Sequence, residues 1–369
     1  MLFDETRNRA YLEAMRAVIT PDTVVLDVGA GIGVLGLLAA KAGARHVYCV
    51  EPSSVARHIK PLAEANGVGD RVTAIQSRIE EASLPEKVDL ILSVFTGNLL
   101  FTEDLLPSLY HARDRWLKPG GVLLPDRARL HLCAVQAADE HAKAIGRYQA
   151  PSLGIDYGVL AGPAANALIA WPRASGQPVP LTPPLLACEL EFATSTAEGT
   201  QFEATTVATR PGTLHALMGW IEIRLGDAWL STAPDQPGVH WSPMLLPFRT
   251  PVEVEEGDEI GIGLRYIDND QVFWSIRCRG LQQRQSPVLD NPQAMVNVML
   301  SSPGRHGPLG EQGRLLLEAL QAMERGESNA AIAQSLLERH PQRYADLLQA
   351  QRAVGRWAAG YRARPTSAG

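Results

Sequence analysis

Along the first third of the chain, the spacing of hydrophobic and polar positions alternates between that of short strands and that of longer helices. Between residues 23 and 125, short β-branched runs alternate with helical stretches, which is the pattern of βαβ units and a parallel sheet. We predict strands at 24–28, 47–50, 72–76 and 88–93. A helix over 105–116 is predicted to end at a turn at 118–121, since proline and paired glycines stop helices, and a further strand begins at Gly121.

The pattern changes beyond about residue 130. Short strand-like runs at 186–192, 216–223 and 259–266 are separated by Pro, Gly, Asp and Ser, which predicts a β-rich second domain. The segment 154–172 is interrupted by Gly, Ala and Pro and is either a linker or a protruding arm. Helical spacing of apolar residues returns over 313–361 and predicts a C-terminal helical appendage.

Composition narrows the class of protein. A chain of 369 residues is expected to hold two domains, and its net charge of -6 argues against nucleic acid as a partner. The four cysteines and nine histidines show no ligand spacing, so we expect neither a metal site nor a disulfide framework.

Other signals concern location and source. No apolar run reaches bilayer length and the first residues lack signal-peptide character, so we expect a cytoplasmic protein with no membrane partner. Lysine is absent after Lys143 while arginine is plentiful, which points to a GC-rich, bacterial genome.

A glycine turn follows the first predicted strand and opens a helix. It reads Asp27-Val28-Gly29-Ala30-Gly31-Ile32-Gly33, and such glycines let the backbone approach a ligand closely. Glu51 stands about twenty residues on, after the second strand, where a carboxylate can accept hydrogen bonds from both ribose hydroxyls. We predict an adenosine-containing cofactor held by Asp27, Gly29, Gly31, Gly33 and Glu51.

Two alternatives remain open on this motif alone. Residues 31–36 also match the dinucleotide pattern Gly-x-Gly-x-x-Gly, so a nicotinamide or flavin cofactor is possible. A glycine turn with no ligand is the second alternative, and the strand-turn-helix context with Glu51 disfavours it.

The remainder of this half resembles class I methyltransferases. The resemblance rests on Ile79-Glu80 after the third strand and on Leu-Lys-Pro-Gly-Gly-Val-Leu at 117–123. It implies S-adenosyl-L-methionine as cofactor, with Ile79 packed on the adenine and Glu80 accepting from its exocyclic amine. By spacing alone, Glu80 is as well explained as a solvated loop carboxylate, because Glu81 is adjacent.

A closer resemblance is to the protein arginine methyltransferases. It rests on Met-Leu-Phe-Asp-Glu-Thr-Arg at 1–7, Ala-Lys-Ala-Gly-Ala at 40–44, the stretch 112–126, and Leu-Ser-Thr-Ala-Pro followed by Gly-Val-His-Trp at 230–241. The resemblance covers about residues 1–302. It implies an α/β fold with a Rossmann-like class I methyltransferase domain at 1–126 and a β-barrel substrate domain at 127–302. The barrel would bear a dimerisation arm at about 154–172, making a homodimer, and 303–369 would be a helical extension.

The same resemblance assigns roles around the acceptor. Arg7 would bind the carboxylate of the methionine moiety through charge-assisted hydrogen bonds. Asp4 would pair with His240 across the two domains beside the acceptor, and Trp241 would contact the substrate. The alternative for His240 is a surface histidine in a turn.

The sequence departs from the family at the loop after the fourth strand. The family places two glutamates there to hold the guanidinium, whose fixed donors suit paired carboxylates. Glu103 matches the second glutamate, but Val94 stands where the first belongs, and with Phe95 it makes that wall apolar. A buried guanidinium lacking one partner is destabilised by roughly several kcal/mol. Glu103 alone could still orient an acceptor nitrogen or act as a base.

Three functional hypotheses follow. The first is a methyltransferase that acts on a protein or peptide nucleophile, with Glu103 orienting the acceptor and His240 and Asp4 supporting it. The second is a methyltransferase for a small molecule or modified peptide. The third is a catalytically weak, cofactor-binding regulatory protein.

Overall fold

The computed structural model describes residues 2–101, 103–172, 177–196, 199–267, 271–289 and 306–362, together with 293, 296, 299, 300 and 304. The chain separates into two compact units, Met1–Met295 and Val296–Gly369. The domain boundaries expected at 126 and 302 stay predictions.

A parallel five-stranded sheet forms the centre of the N-terminal half. Its strands are β1 (Val24–Val28), β2 (His46–Val50), β3 (Val72–Ile75), β4 (Val88–Ser93) and β5 (Leu117–Leu124), in the order β3-β2-β1-β4-β5. Every residue of β1 is buried, as expected for a central strand covered on both faces. The four predicted strands are confirmed to within a residue or so of their ends.

Helices flank this sheet. They are α1 (Glu5–Val18), α2 (Val34–Lys41), α3 (Ile59–Ala65) and α4 (Leu106–Trp116), with a 3₁₀ turn at Ser54–His58. The sequence analysis did not predict α1. Asp4 caps it by accepting a hydrogen bond from the backbone N–H of Arg7, and its apolar face buries Tyr11 and Met15.

The prediction that residues 118–121 form a turn before the fifth strand is wrong. β5 begins at Leu117, so these residues lie within the strand. They are accommodated as an irregularity, because the register with β4 shifts between the pairs Val88 with Leu117 and Leu90 with Val122. Gly120 takes a left-handed φ of 76°, so the glycine that suggested a turn serves a bulge instead.

The second half is β-rich, as predicted, but it consists of two antiparallel sheets. Its strands are β6 (Arg127–Gln136), β7 (Ile169–Ala170), β8 (Val179–Pro180), β9 (Leu185–Glu191), β10 (Thr200–Val207), β11 (Gly212–Leu225), β12 (Ala228–Ser231), β13 (Met244–Val254), β14 (Glu259–Tyr266), β15 (Val272–Cys278) and β16 (Leu281–Gln285). One sheet has the order β10-β14-β15-β16 and the other β7-β13-β11-β6-β8, with β12 paired to β11 and β9 to β6. The described strands form no closed barrel.

The segment 137–172 follows β6, ends just after β7 and contains the expected arm. It holds α5 (Ala138–Ala144), 3₁₀ turns at Gly146–Tyr148 and Gly158–Leu160, and α6 (Ala161–Ala165). Apolar side chains stand in solvent along it, with Leu153 101% and Val159 83% exposed. A solvated linker rarely exposes such residues together, so this segment carries an unburied apolar surface.

In its range 306–362 the second unit contains the helices α7 (Glu311–Glu324), α8 (Asn329–Arg339) and α9 (Leu347–Tyr361). They enclose a small core of their own that includes Leu315, Ile332, Leu336 and Val354. The helical appendage predicted from apolar spacing is therefore present. Among the described residues, no helix combines the length and apolarity needed to cross a membrane.

Candidate functional site

The glycine turn lies where β1 ends and α2 begins. Gly29, Gly31 and Gly33 adopt φ values of 68°, 58° and 87°, a region that other residues enter at a cost. The N–H groups of Gly29 and Ala30 donate to the carbonyl of Val50, at 2.9 and 3.1 Å. The turn is thus fixed to the end of the neighbouring strand β2.

Glu51 occupies the position that the sequence predicted for a ribose-binding carboxylate. Its Oε2 accepts from the N–H of Gly31 and its Oε1 from the N–H of Ser53, both at 2.9 Å. The residue is only 9% exposed. These bonds orient the carboxylate beside the glycine turn, while each oxygen keeps a second lone pair for a ligand.

Asp27 lies behind the turn. It is buried, and its Oδ2 accepts from the N–H of Gly36 at 2.8 Å in the first turn of α2. Burial raises the pKa of Asp27 to about 7, while the Gly36 hydrogen bond and the Arg7 guanidinium oppose the rise. The structure gives Asp27 a part in shaping the turn, and its predicted role in binding a cofactor stays a prediction.

A cavity of about 310 Å³ opens beside these groups. Gly29, Glu51, Ile79 and Glu80 all line it, so the structure brings four of the predicted cofactor residues together. Ile79 is buried and supplies an apolar wall. The remaining lining residues are Val28, Val50, Pro52, Arg78, Phe95, Leu105 and Ser108.

Glu80 and Glu81, which spacing alone could not separate, differ in the structure. Glu80 lines the cavity and Glu81 does not. The Ser108 hydroxyl donates to Glu80 Oε1 at 2.5 Å. Burial raises the pKa of Glu80, but the Ser108 bond and nearby Arg78 bring it below its usual value, so the carboxylate is ionised and free to accept hydrogen bonds. Ser108 carried no signal in the sequence.

Phe95, which we expected at the acceptor wall with Val94, contacts the glycine turn, and its role towards the acceptor stays a prediction. It lines the same cavity as Glu51, and a Cβ atom built on Gly29 would lie 2.3 Å from its Cε1 atom. The absent side chain of Gly29 is therefore what lets the ring contact the turn. Val94, beside it, is half-buried against the core.

Asp4 and His240 do pair, as the resemblance implied. Asp4 Oδ2 accepts from the backbone N–H of His240 at 2.7 Å and lies 2.9 Å from its Nδ1. Burial raises the pKa of Asp4, but its hydrogen bonds from Arg7 and His240 hold it below its usual value. Burial, with the nearby Arg7 charge, lowers the pKa of His240 below its usual value, although Asp4 acts to raise it. The pair ties α1 to the loop between β12 and β13.

Arg7 follows one turn into α1. The residue is 3% exposed, and its Nε and Nη2 donate to Asn8 Oδ1 at 3.0 and 2.6 Å. Burial lowers the pKa of Arg7, and the field of nearby Tyr11, Asp4 and Asp27 opposes this. A buried guanidinium close to Asp27, which precedes the glycine turn, is suited to hold a carboxylate. That role stays a prediction.

Trp241 packs beside His240, with ring centroids 4.3 Å apart, and is buried. The next residue connects this loop to the one after β4, since the N–H of Ser242 donates to Asn98 Oδ1 at 2.9 Å. The sequence analysis missed Asn98. Its partner is 144 residues away in sequence, so no local pattern could have revealed it.

Glu103 is exposed near the end of the loop after β4. It has no hydrogen bond or ion pair with any residue in the described ranges, and partial burial of its carboxylate raises its pKa. Leu100 and Asp104, on either side, adopt left-handed φ values of 69° and 49°. Such positions in a non-glycine residue require the surroundings to hold them, so the backbone around Glu103 is strained.

Tyr11 is a second residue that the sequence analysis missed. Its hydroxyl donates to the carbonyl of Ser93 at 2.8 Å, and the side chain is fully buried. This bond fixes α1 to the carboxyl end of β4, where the acceptor loop begins. Within the described ranges, no group of three or more His, Cys, Asp or Glu could hold a metal ion.

Two family models match the chain. The methyltransferase domain matches residues 25–121, and the arginine methyltransferase oligomerization subdomain matches 126–275. Protein arginine N-methyltransferase 1 of Chlamydomonas reinhardtii is 45% identical over 139 residues, which are 37% of this chain and 40% of that protein. This chain therefore aligns with less than half the length of that relative.

Two further comparisons cover more of the chain. Protein arginine N-methyltransferase PRMT10 of Arabidopsis thaliana is 33% identical over 303 residues, covering 72% of this chain and 78% of that protein. The structure of the Trypanosoma brucei PRMT1 enzyme-prozyme heterotetrameric complex with AdoHcy superposes with a TM-score of 0.68 at 25% identity, over 77% of this chain and 96% of that one. These relatives are eukaryotic, so the bacterial source stays a prediction. The chain belongs to the protein arginine methyltransferase family.

Proposed function

We propose that the chain binds S-adenosyl-L-methionine in the cavity beside the glycine turn and transfers its methyl group. The observation that supports this most is that two oriented carboxylates, Glu51 and Glu80, line one cavity together with apolar Ile79. Ribose hydroxyls and an adenine amine are donors that such carboxylates accept from. A cavity of about 310 Å³ is at the lower end of the range for small-molecule sites and suits the adenosyl part.

Different residues of the chain would bind the cofactor, position it and accept the proton. When bound, the cofactor supplies an electrophilic methyl group on a sulfonium. Arg7 holds the methionine carboxylate, and the Asp4–His240 pair keeps Arg7's helix against the second domain. Glu103 accepts a hydrogen bond from the acceptor nitrogen and takes its proton, which its raised pKa favours.

The acceptor that we propose is a nitrogen nucleophile on a polypeptide. Glu103 alone would hold it, and so less firmly than two glutamates hold an arginine. Val94 cannot accept a hydrogen bond, so one side of a guanidinium would lose its partner at that wall. The loss is roughly several kcal/mol if the wall is desolvated. We therefore expect slow methylation of arginine peptides.

Calorimetry tests the cofactor proposal first. S-adenosylmethionine and its demethylated product are expected to bind the purified chain, and a nicotinamide or flavin nucleotide is not. Glu51→Gln should weaken binding about tenfold or more, because it replaces an acceptor for a ribose hydroxyl and disturbs the bond from Gly31. Glu81→Gln, one residue from Glu80 but outside the cavity, is the matched control. Preferential binding of a nicotinamide nucleotide would refute the proposal.

Transfer of a radiolabelled methyl group tests the acceptor. With arginine-rich peptides, Val94→Glu is expected to raise turnover by restoring the first carboxylate, whereas Val94→Leu is the size control that should not. Glu103→Gln should abolish transfer while leaving cofactor binding unchanged. If the wild-type chain already methylates arginine peptides as fast as Val94→Glu, our interpretation of this loop is wrong.

A second candidate function is that of a cofactor-binding subunit with little turnover of its own. The apolar Val94 favours this candidate, because a chain that has lost catalysis is expected to lack one of the two carboxylates. Tight cofactor binding with no transfer to peptides or to metabolites in cell extract would support this candidate. Labelling of a small molecule alone would instead identify a metabolite acceptor.

We also propose that the chain forms a homodimer through the segment 154–172 and the residue before it. Leu153, Ile155 and Val159 expose large apolar surface there, and the match to the family's oligomerization subdomain supports an oligomer. Light scattering on the double variant Leu153→Glu with Val159→Glu should give a monomer. Leu317→Glu with Leu348→Glu, exposed leucines on α7 and α9, is the matched control and should leave the wild-type mass unchanged.

A further inference from the structure

A polar trough runs along the outer face of the sheet β10-β14-β15-β16. In β14, Gly261 is half-buried, Gly263 is buried and Arg265 is exposed. Because the two glycines carry no side chain, the floor of the sheet is low there, and the side chains of Ser275 and Arg277 lie over it. Cavities of about 240 and 290 Å³ lie end to end there and share Glu203, Gly263, Ser275 and Gln282 as lining residues.

Polar groups lie directly over the glycine floor. A Cβ atom built on Gly263 would lie 2.4 Å from the Ser275 hydroxyl oxygen, so only glycine leaves room for that hydroxyl. A Cβ atom on Gly261 would lie 3.5 Å from Nε and Nη2 of Arg277, so this guanidinium covers the other glycine. The pairing of Gly261 with Arg277 and of Gly263 with Ser275 across β14 and β15 accounts for both contacts.

Positive charge stands at both ends of the trough. Arg265 and Arg284 line the first cavity and Arg277 lines the second. All three are exposed, and none forms an ion pair with a residue in the described ranges. Arg284 lies over the ring of Phe273, 4.8 Å from its centroid, which fixes the guanidinium near the trough. A chain of net charge -6 thus carries a local cluster of three arginines that form no ion pair with the described residues, beside one carboxylate, Glu203, that lines both cavities.

We infer that this trough binds an extended acidic segment of a partner polypeptide. The floor from Gly261 to Arg265 spans roughly 13 Å at about 3.3 Å per residue, the length of about four extended residues. Charges at both ends call for carboxylates spaced along a chain, since one phosphate could neutralise only one end. A single-stranded RNA would need open aromatic faces for its bases, whereas Phe273 is covered by Arg284. The trough is independent of methyl transfer.

Fluorescence anisotropy with the full-length protein tests the inference. The probe is a labelled octapeptide of alternating glutamate and serine, at low ionic strength. The triple variant Arg265→Gln, Arg277→Gln, Arg284→Gln should weaken binding about tenfold or more, as expected from three exposed ion pairs. The matched control replaces Arg9, Arg210 and Arg352 with glutamine, which lowers the net charge equally away from the trough and should leave binding nearly unchanged.

A second variant separates shape from charge. Gly261→Ala keeps all three arginines and raises the floor by one methyl group, because a Cβ there lies at the ordinary contact distance of 3.4–3.5 Å from Arg277. It should weaken peptide binding while leaving binding of S-adenosylhomocysteine and the thermal melt unchanged. Equal losses in the two triple variants would overturn the inference. So would unaltered binding by Gly261→Ala, tighter binding of an oligouridylate, or displacement of the peptide by inorganic phosphate beyond the effect of equal ionic strength.

Discussion

The contact between Asp4 and His240 offers a sharp test of how the two halves of the first unit are held together. In Asp4→Asn, the amide can keep its carbonyl towards the N–H of Arg7 and so preserve the cap of α1. Its NH₂ group then faces the backbone N–H and the Nδ1 atom of His240, which Asp4 Oδ2 meets at 2.7 and 2.9 Å. The NH₂ group opposes the backbone N–H, so that bond is lost, whereas the neutral imidazole can change tautomer and accept at Nδ1.

The magnitude follows from the burial of this pair. A hydrogen bond to a charged acceptor contributes about 1.5–3 kcal/mol, so we expect the loss of the backbone bond to cost about that much. For the unit Met1–Met295 the melting temperature should fall by roughly 2–5 °C. Asp4→Ala should lose about 1 kcal/mol more, because the cap goes as well.

Differential scanning calorimetry and far-UV circular dichroism measure this effect. Glu5→Gln, an exposed neighbour in the first turn, is the control and should shift the melt by no more than a degree or so. The depressed pKa of Asp4 means that its contribution is present above its ordinary value of 3.8 and is lost as the pH falls through the lower folded-state value. The gap between the wild type and Asp4→Asn should therefore narrow in acid. An Asp4→Asn melt within a degree of the wild type at pH 7 would refute this reasoning.

Three further predictions concern the glycine turn and its supports. Gly29→Ala should abolish cofactor binding in calorimetry, because its Cβ would lie 2.3 Å from Phe95 at a φ of 68°; retained affinity would show that the ring is not fixed there. The folded-state pKa of Asp27, about 7, exceeds its ordinary 3.8, so its contribution to stability falls by up to about 4 kcal/mol as the pH rises between these values. Urea unfolding of Asp27→Asn should lack that slope, and an unchanged slope would contradict the pKa. Tyr11→Phe should lose about 1 kcal/mol by the same method, through its bond to Ser93; no loss would mean that the hydroxyl is solvated.

Local pattern was enough to predict the parallel sheet and the glycine turn. The strands 24–28 and 88–93 coincide with β1 and β4, because a buried strand in a parallel sheet is a continuous apolar run bounded by polar residues. The place of Glu51 followed from its spacing after the turn. Where the pattern misled, as at Gly120, a glycine with positive φ served a bulge inside a strand, and a bulge has the same local composition as a turn.

Tertiary structure decided which side chains meet. Asn98 reaches Ser242, Tyr11 reaches Ser93, and Ser108 reaches Glu80, over separations of 28 to 144 residues that no periodicity records. It also chose Glu80 over Glu81 as the cavity carboxylate, and it placed Phe95 against the glycine turn. The sequence determined local backbone conformation, because that depends on neighbours along the chain. The identity of each partner depends on how sheets and helices pack, and packing is a property of the whole unit.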